Sequence, residues 1–400
     1  MGAWKEYKLG EIVEFNRNTI NRNYPYEEID YLDTGSVTAG KVSGYQCLKT
    51  VDAPSRAKRL VQSNDIIYST VRPIQRHYAI LKNPSPRTVV STGFVVLTAK
   101  ADLDPFFLYF FLTQDEIVGY LDSIAEGSTS AYPSLTPDVI ADLDIHLPPR
   151  PEQRAIASVL SSLDDKIDLL HRQNKTLEGL AQTLFRQWFV EEAKQEWTDS
   201  TFSAHTLVNR GLSYKGSGLT DGSGGIPMHN LNSVYEGGGY KYEGIKYYNG
   251  DFKERHVVKP GDIIVANTEQ GHEFRLIGFP AIVPDYFGGT GLFSQHIYRL
   301  EILTHAYLTR EFIYYLIMTP RVREQIIGAT NGSTVNMLAM DGLQNTEFKL
   351  PPEDKVLRFS QIIGNYWEKK NRNQYQIRTL TQLRDTLLPK LMSGEVRVRA

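Results

Sequence analysis

Cysteine is nearly absent: Cys47 is the one example among 400 residues. That excludes a disulfide framework and fits a reducing compartment. An excess of one charge is also missing, because 44 basic and 46 acidic side chains leave a formal charge of −2. A histone-like polycation and an acidic disordered chain are thereby excluded, while local basic patches remain open. The greasiest run, PFFLYFFL at 105–112, is less than half the length that spans a bilayer. The opening MGAWKEYKLGE carries no apolar signal core. The expectation is a soluble, cytoplasmic protein without membrane contact. With 41% hydrophobic residues, the chain can bury two ordinary cores.

Several chemistries lack their residues. Nine histidines lie scattered, without HEXXH spacing or paired cysteines, so no metal site is expected. The glycine-rich stretch 216–225 lacks Walker spacing and the terminal Lys-Ser/Thr of a phosphate loop. Pro284-Asp285 has no acid-x-lysine partner at nuclease spacing, and nothing resembles a nucleophile elbow. Phe287-Gly-Gly-Thr-Gly291 matches the F-x-G-x-G loop with which methyltransferases hold S-adenosylmethionine. However, no Asn/Asp-Pro-Pro-Tyr/Phe tetrapeptide accompanies it to grip an extruded adenine. The chain reads as a protein that recognises and does not catalyse. A stand-alone adenine methyltransferase and a coiled-coil scaffold binding only proteins are the rival readings.

What is present is written twice. Phe107-Leu-Tyr-Phe-Phe-Leu112 faces Phe312-Ile-Tyr-Tyr-Leu-Ile317, and Glu126-Gly-Ser-Thr129 faces Asn331-Gly-Ser-Thr334, both at an offset of 205. Leu147-Pro-Pro149 faces Leu350-Pro-Pro352 at 203, while Asp65-Ile-Ile67 faces Asp262-Ile-Ile264 and Ser36-Val37 faces Ser233-Val234 at 197. The order of matches is the strong signal; each alone is weak. Within each half, short β-rich runs such as NDIIYST and GDIIVAN are separated by Gly, Asn and Pro. A helical stretch follows in each, Asp104 to Ile124 and Thr309 to Ile327. The fold class is therefore mixed α/β with a pseudo-twofold internal repeat.

After each Leu-Pro-Pro comes a long helix. The first begins at Pro151-Glu152-Gln153 and runs to about Glu192; the second runs from Glu353 to about Pro389, where the proline, then Ser393-Gly394, are expected to stop it. Apolar positions in the first alternate by four and three: Ile156, Leu160, Leu163, Ile167, Leu170, then Asn174, Leu177, Ala181, Leu184 and Trp188. The second keeps that register through Phe359, Ile363, Tyr366, Lys370, Asn373, Ile377, Leu380, Arg384, Leu387 and Leu391. These are heptad seams, one interrupted by a single polar residue and the other by three. A helix of roughly 38 residues extends about 57 Å, far more than a small domain needs. An antiparallel pair is expected, with Asn174 near Asn373 and Leu170 near Ile377; two helices each packed on its own domain is the alternative.

Two similar but diverged domains on a stiff spacer suit a partner with two unequal half-sites, and double-stranded DNA fits. Between Ala53 and Val90 lie Arg56, Lys58, Arg59, Arg72, Arg76, Lys82 and Arg87, with Asp65 the only acid from Ala53 onward in that cluster. Such a cluster neutralises phosphates. After the Asp-Ile-Ile strand, Thr70, Arg72, Gln75, Arg76 and His77 combine side chains that read base edges in a major groove. The matched segment offers Asn267, Thr268, Gln270 and His272, with Lys253 and Arg255 as neighbouring cations. A solvated face and an ordinary polar loop are the alternatives. Ser128, Thr129, Ser333 and Thr334 are candidates for phosphate contact, or simple turns that cap the preceding helix.

Residues 147–189, LPPRPEQRAIASVLSSLDDKIDLLHRQNKTLEGLAQTLFRQWF, resemble the central conserved region of the specificity (S) subunits of type I restriction–modification systems. TQLRDTLLPKLMSGEVRV, 381–398, resembles their C-terminal conserved region. The resemblance implies target recognition domains at 1–150 and 194–352, with conserved long helices at 151–193 and 353–400. It implies a bipartite, asymmetric DNA site, whose halves are separated by the antiparallel helices. It also implies docking of methyltransferase subunits, two in number, and of restriction subunits. S-adenosylmethionine, ATP and Mg are then expected on those partners and no cofactor on this chain. Trp188, Phe189 and Leu391 become candidate partner contacts, with packing on the second recognition domain the other role for the two aromatics.

Overall fold

The computed structural model describes residues 4–127, 133–222, 224–271, 273–332 and 335–398. The chain divides into two compact units, one of residues 1–168 with 378–400 and the other of residues 169–377. Each long helix thus contributes one part to each unit.

In the first unit a four-stranded antiparallel sheet runs in the order Val13–Phe15, Phe94–Ala99, Asp65–Ser69, Tyr78–Leu81. A second sheet runs Gln46–Lys49, Glu28–Leu32, Thr88–Ser91, Ala57–Leu60, with its central pair parallel. Asp65–Ser69 is buried along its whole length. Strand alternation explains the continuous apolar run: Ile66 and Tyr68 join a core with the helices, while Ile67 joins Leu32, Val90 and Phe94 in a core shared with the second sheet. The helix Pro105–Leu112 begins at Asp104, whose carboxylate accepts the amides of Phe106 at 3.0 Å and Phe107 at 3.2 Å. Proline at the first helical position needs no partner for its nitrogen.

The second unit repeats this order. Thr206–Arg210, Ile297–Ile302, Ile263–Ala266 and Pro280–Ile282 form one sheet. Lys246–Tyr248, Ile226–His229, Gly291–Phe293 and Val257–Val258 form the other, again with a parallel central pair, and Leu219–Thr220 adds an edge strand. Ile263 and Val265 face one core, Ile264 and Ala266 the other. Even an isolated bridge recurs: Val71 pairs with Ser134, and the matched Thr268 pairs with Met337. In the second unit that bridge grows into a three-stranded ribbon of Thr268–Gln270, Val335–Leu338 and Thr330–Asn331. The F-x-G-x-G look-alike ends in the strand Gly291–Phe293, the counterpart of Thr88–Ser91.

The expected single helical stretch after the strands is two helices in each unit. Pro105–Leu112 is followed by Asp115–Glu126, and Arg310–Ile317 by Pro320–Gly328. The joints are extended residues, Gln114 (ψ 140°) and Thr319 (ψ 146°); Thr319 precedes a proline, which disfavours helical backbone.

The long helices span Arg150–Arg186, closed by a π turn at Gln187–Glu191, and Glu353–Met392. Pro389 does not stop the second one, which ends instead at the expected Ser393-Gly394. Its loss of a hydrogen bond and its ring clash cost about 3 kcal/mol, but the next turn buries Leu391 and Met392 in the first unit's core. Two such side chains contribute roughly 1.5–3 kcal/mol each. The turn ends at Gly394, whose φ of +75° suits the left-handed stop.

In both units the helix segments pair antiparallel. In the first, Arg384 reaches Asp164 at 2.9 Å and Arg397 reaches Glu152 at 2.7 Å. In the second, the Asn373 amide donates to Asn174 at 2.8 Å, and Lys370 pairs with Glu178. The two charged seam positions are therefore met by carboxylates of the facing helix, which keeps the seam closed. Leu160, Leu163, Ile167, Leu170, Asn174, Leu177, Ile363, Tyr366, Asn373, Ile377, Leu380 and Leu387 are all buried or half-buried. Among the described residues, no helix is long and apolar enough to cross a membrane.

Candidate nucleic-acid interface

The segment after Asp65–Ser69 forms a rigid tip. Ser69 Oγ donates to the Val71 carbonyl at 3.0 Å and accepts its amide at 3.2 Å, turning the chain out of the sheet. A short 3-10 turn, Pro73–Gln75, then sits between two left-handed residues, Arg72 (φ 46°) and Arg76 (φ 56°). Neither is glycine, so each costs on the order of 1 kcal/mol, and neighbours must hold the tip in place. The Arg72 amide donates to the Pro133 carbonyl at 3.1 Å, and the Ala39 amide to the Arg76 carbonyl at 2.7 Å. From the helix Asp115–Glu126, Asp122 accepts the Ile74 amide at 3.1 Å and Asp115 pairs with Arg76 at 2.8 Å.

These partners sort the expected contacts. Arg72 and Gln75 are exposed, and Arg72 carries no ion pair among the described residues. Arg76 is half-buried and occupied by Asp115, so it braces the tip. His77 donates from Nδ1 to the Val37 carbonyl at 2.6 Å and meets Gln75 through Nε2 at 3.2 Å, which orients the Gln75 amide. Two expectations change. Thr70 turns inward, its hydroxyl donating to the Gly93 carbonyl at 3.2 Å. Arg59 is half-buried against the Phe94 carbonyl, and burial pulls its guanidinium below the ordinary arginine value. Arg56 and Lys58, on the same segment, are exposed.

In the second unit the matched residues are held differently. Asn267 and Thr268 are only 3% and 4% exposed. Asn267 donates to the Gln295 carbonyl at 3.0 Å, and the Thr268 hydroxyl meets His296 Nδ1 at 3.3 Å. This corrects the expectation that they offer their side chains to a base: they anchor the start of the ribbon. Gln270, Lys253 and Arg255 are exposed, and the ribbon also exposes Val335 and Met337. His272, Ser128, Thr129, Ser333 and Thr334 lie outside the described residues.

The loop beyond the ribbon is fixed by two residues absent from the expectation. The buried Glu269 accepts the amides of Arg275 and Leu276 at 2.9 Å and of Ile277 at 2.8 Å. Arg323, also buried, donates to the carbonyls of Ile277 and Phe274 and lies 3.7 Å from the Phe279 ring centroid. Burial pushes the Arg323 pKa down to about 10, against the opposing charge of Glu269. No sequence pattern marks them, because Arg323 meets carbonyls 46 and 49 residues away.

The candidate partner contacts are also relocated. Phe189 is buried, with its ring 5.0 Å from Phe312 and 5.2 Å from Phe359. Trp188 is half-buried beside Phe359, under Arg358 and Lys355. Leu391 belongs to the first unit's core. Phe189 and Leu391 thus pack within their own units and leave no face for a partner.

Comparison with known proteins gives a consistent result. The family model of the type I restriction modification DNA specificity domain matches residues 1–179. The type I restriction enzyme HindI specificity subunit of Haemophilus influenzae is 24% identical over 463 aligned residues, covering 99% of this chain and 100% of the relative. The MjaIX specificity subunit of Methanocaldococcus jannaschii is 26% identical, covering 98% and 89%. In fold, the crystal structure of the type I system S subunit from M. genitalium matches with a TM-score of 0.61 at 15% identity, over 97% of this chain and 96% of that one.

Proposed function

Because the chain belongs to the specificity subunits of type I restriction–modification systems, we propose that it reads a bipartite, asymmetric site on double-stranded DNA. The recognition domains at 1–150 and 194–352 each take one half. The first works through the Arg72 tip with Arg56 and Lys58 on phosphates; the second works through Gln270 and the surface carrying Lys253 and Arg255. The helices at 151–193 and 353–400 set the gap and dock two methyltransferase subunits, which restriction subunits join. Leu169, Leu180, Leu357 and Leu383 support that docking, since they leave apolar side chains exposed along both helices. S-adenosylmethionine, ATP and Mg belong to those partners. This chain contributes selection without chemistry, in the cytoplasm.

One observation carries the reading. The same strand order occurs twice, and the two copies differ in the segment that follows the Asp-Ile-Ile strand. A repeated scaffold with unlike tips suits two unlike half-sites. Mapping methylated adenines in cells with the methyltransferase, with and without this chain, tests it. The expected result is a chain-dependent motif of two different short sequences around a fixed unread gap. A continuous motif, or methylation independent of the chain, refutes the reading.

A further inference from the structure

We propose that Ile74 reads the 5-methyl group of a thymine in the first half-site, an inference that rests on the DNA-reading function above. The tip holds its residues in opposite ways: Pro73 is buried, while Ile74 is 55% exposed. An isoleucine so exposed at a turn would ordinarily be free to fold back over neighbouring apolar surface. Here its amide is tied to Asp122 and the residues at both ends of the turn are in the left-handed region. Strain concentrated at a surface turn, over-determined by its neighbours, is the pattern of a site shaped for contact.

The side chain suits one target. Isoleucine is stiff at χ1, so little freedom is lost when it is pressed against a partner. It sits between Arg72 and Gln75, both exposed and both able to donate to base edges. In a major groove lined by donors and acceptors, the thymine methyl is the one apolar feature. A rigid apolar centre flanked by the exposed Arg72 and Gln75 therefore discriminates thymine from cytosine at one position, while its flanks hold polar edges or phosphates. At the matched position the second unit has Gly271, with no side chain to make that contact.

The test uses the chain assembled with its methyltransferase and duplexes in which each thymine of the recognised site is replaced singly by deoxyuracil. Wild type is expected to lose about fourfold in affinity at one position of one half-site, the value of one buried methyl. Ile74→Ala is expected to bind the thymine and deoxyuracil duplexes equally, and Ile74→Val to keep the difference. If no deoxyuracil in either half-site weakens wild type, or if Ile74→Ala keeps the wild-type difference, the inference is wrong. Arg72→Ala in the same assay separates the layers. Loss of half-site preference in Arg72→Ala with no effect of Ile74→Ala removes only the methyl contact; binding without any sequence preference in wild type removes the DNA reading as well.

Discussion

The first unit's tip and the second unit's ribbon leave the same strand of the same sheet, yet they are stabilised by opposite means. The tip is braced from outside: two carboxylates of one helix take the Ile74 amide and the Arg76 guanidinium, and the Arg72 side chain carries no ion pair among the described residues. The ribbon is braced from within, through buried Asn267, Thr268, Glu269 and Arg323, and presents few cations. The scaffold therefore carries the duplication, while the bracing decides which side chains face outward. The exposed side chains of the tip can change without disturbing the strands below.

The largest way to break the comparison is to remove an internal brace. Arg323→Ala strips the carbonyls of Ile277 and Phe274 of their donor and removes the opposing charge near the buried Glu269, a loss of roughly 3 kcal/mol for two unmade hydrogen bonds in the interior. Amide hydrogen exchange should show deprotection confined to residues 267–282, with the first unit unchanged. Equal deprotection in both units would mean that the brace is not local. Next comes Arg72→Ala, expected to cost about 1–3 kcal/mol on one half-site only if the contact is to a base. Affinities measured for variants of each half-site decide this, since an equal loss on all sequences makes Arg72 a phosphate contact.

A third difference concerns pH. His229 stands where the first unit has Leu32, in the matching central strand. Burial pushes the His229 pKa down to about 4, and its Nδ1 is 2.8 Å from the Tyr240 hydroxyl. The folded state thus refuses a proton that the unfolded chain accepts below its ordinary value near 6.5. Stability from this site is whole above that value and is lost as pH falls toward 4, by about 2 kcal/mol between pH 7 and 5. His229→Leu should abolish this share of the acid sensitivity, seen as exchange in Ile226–His229 that no longer quickens relative to Glu28–Leu32. The smallest effect is expected at the helix seam. Asn373 is fully buried and its Oδ1 has no partner among the described residues, so Asn373→Leu should raise thermal stability by about 1 kcal/mol while weakening the register that the paired amides specify. A fall in melting temperature would show that the Asn174 partnership outweighs that orphaned oxygen.

The sequence revealed those features whose signals are local or periodic. The offsets near 200 exposed the duplicated sheets, and the alternation of Ile156, Leu160 and Leu163 exposed the long helices. It concealed whatever depends on distant partners. Nothing near Thr70 announces the Gly93 carbonyl that turns it inward, and nothing near Arg59 announces Phe94. Asn267 and Thr268 read as exposed amide and hydroxyl because Gln295 and His296 lie 28 residues further on. Phe189 and Leu391, at helix ends, read as free because their cores are built by other segments. Pro389 is a strong stop locally, and only the burial of Leu391 and Met392 carries the helix past it.

The most direct measurement is the methylation motif specified by a chain in which residues 198–350 are replaced by a second copy of residues 5–147. Two unlike readers on one repeated scaffold predict that the second half-sequence disappears from the recognised site and the first half-sequence appears twice. Retention of the original asymmetric motif by that folded chain, assembled with its methyltransferase, would contradict the account.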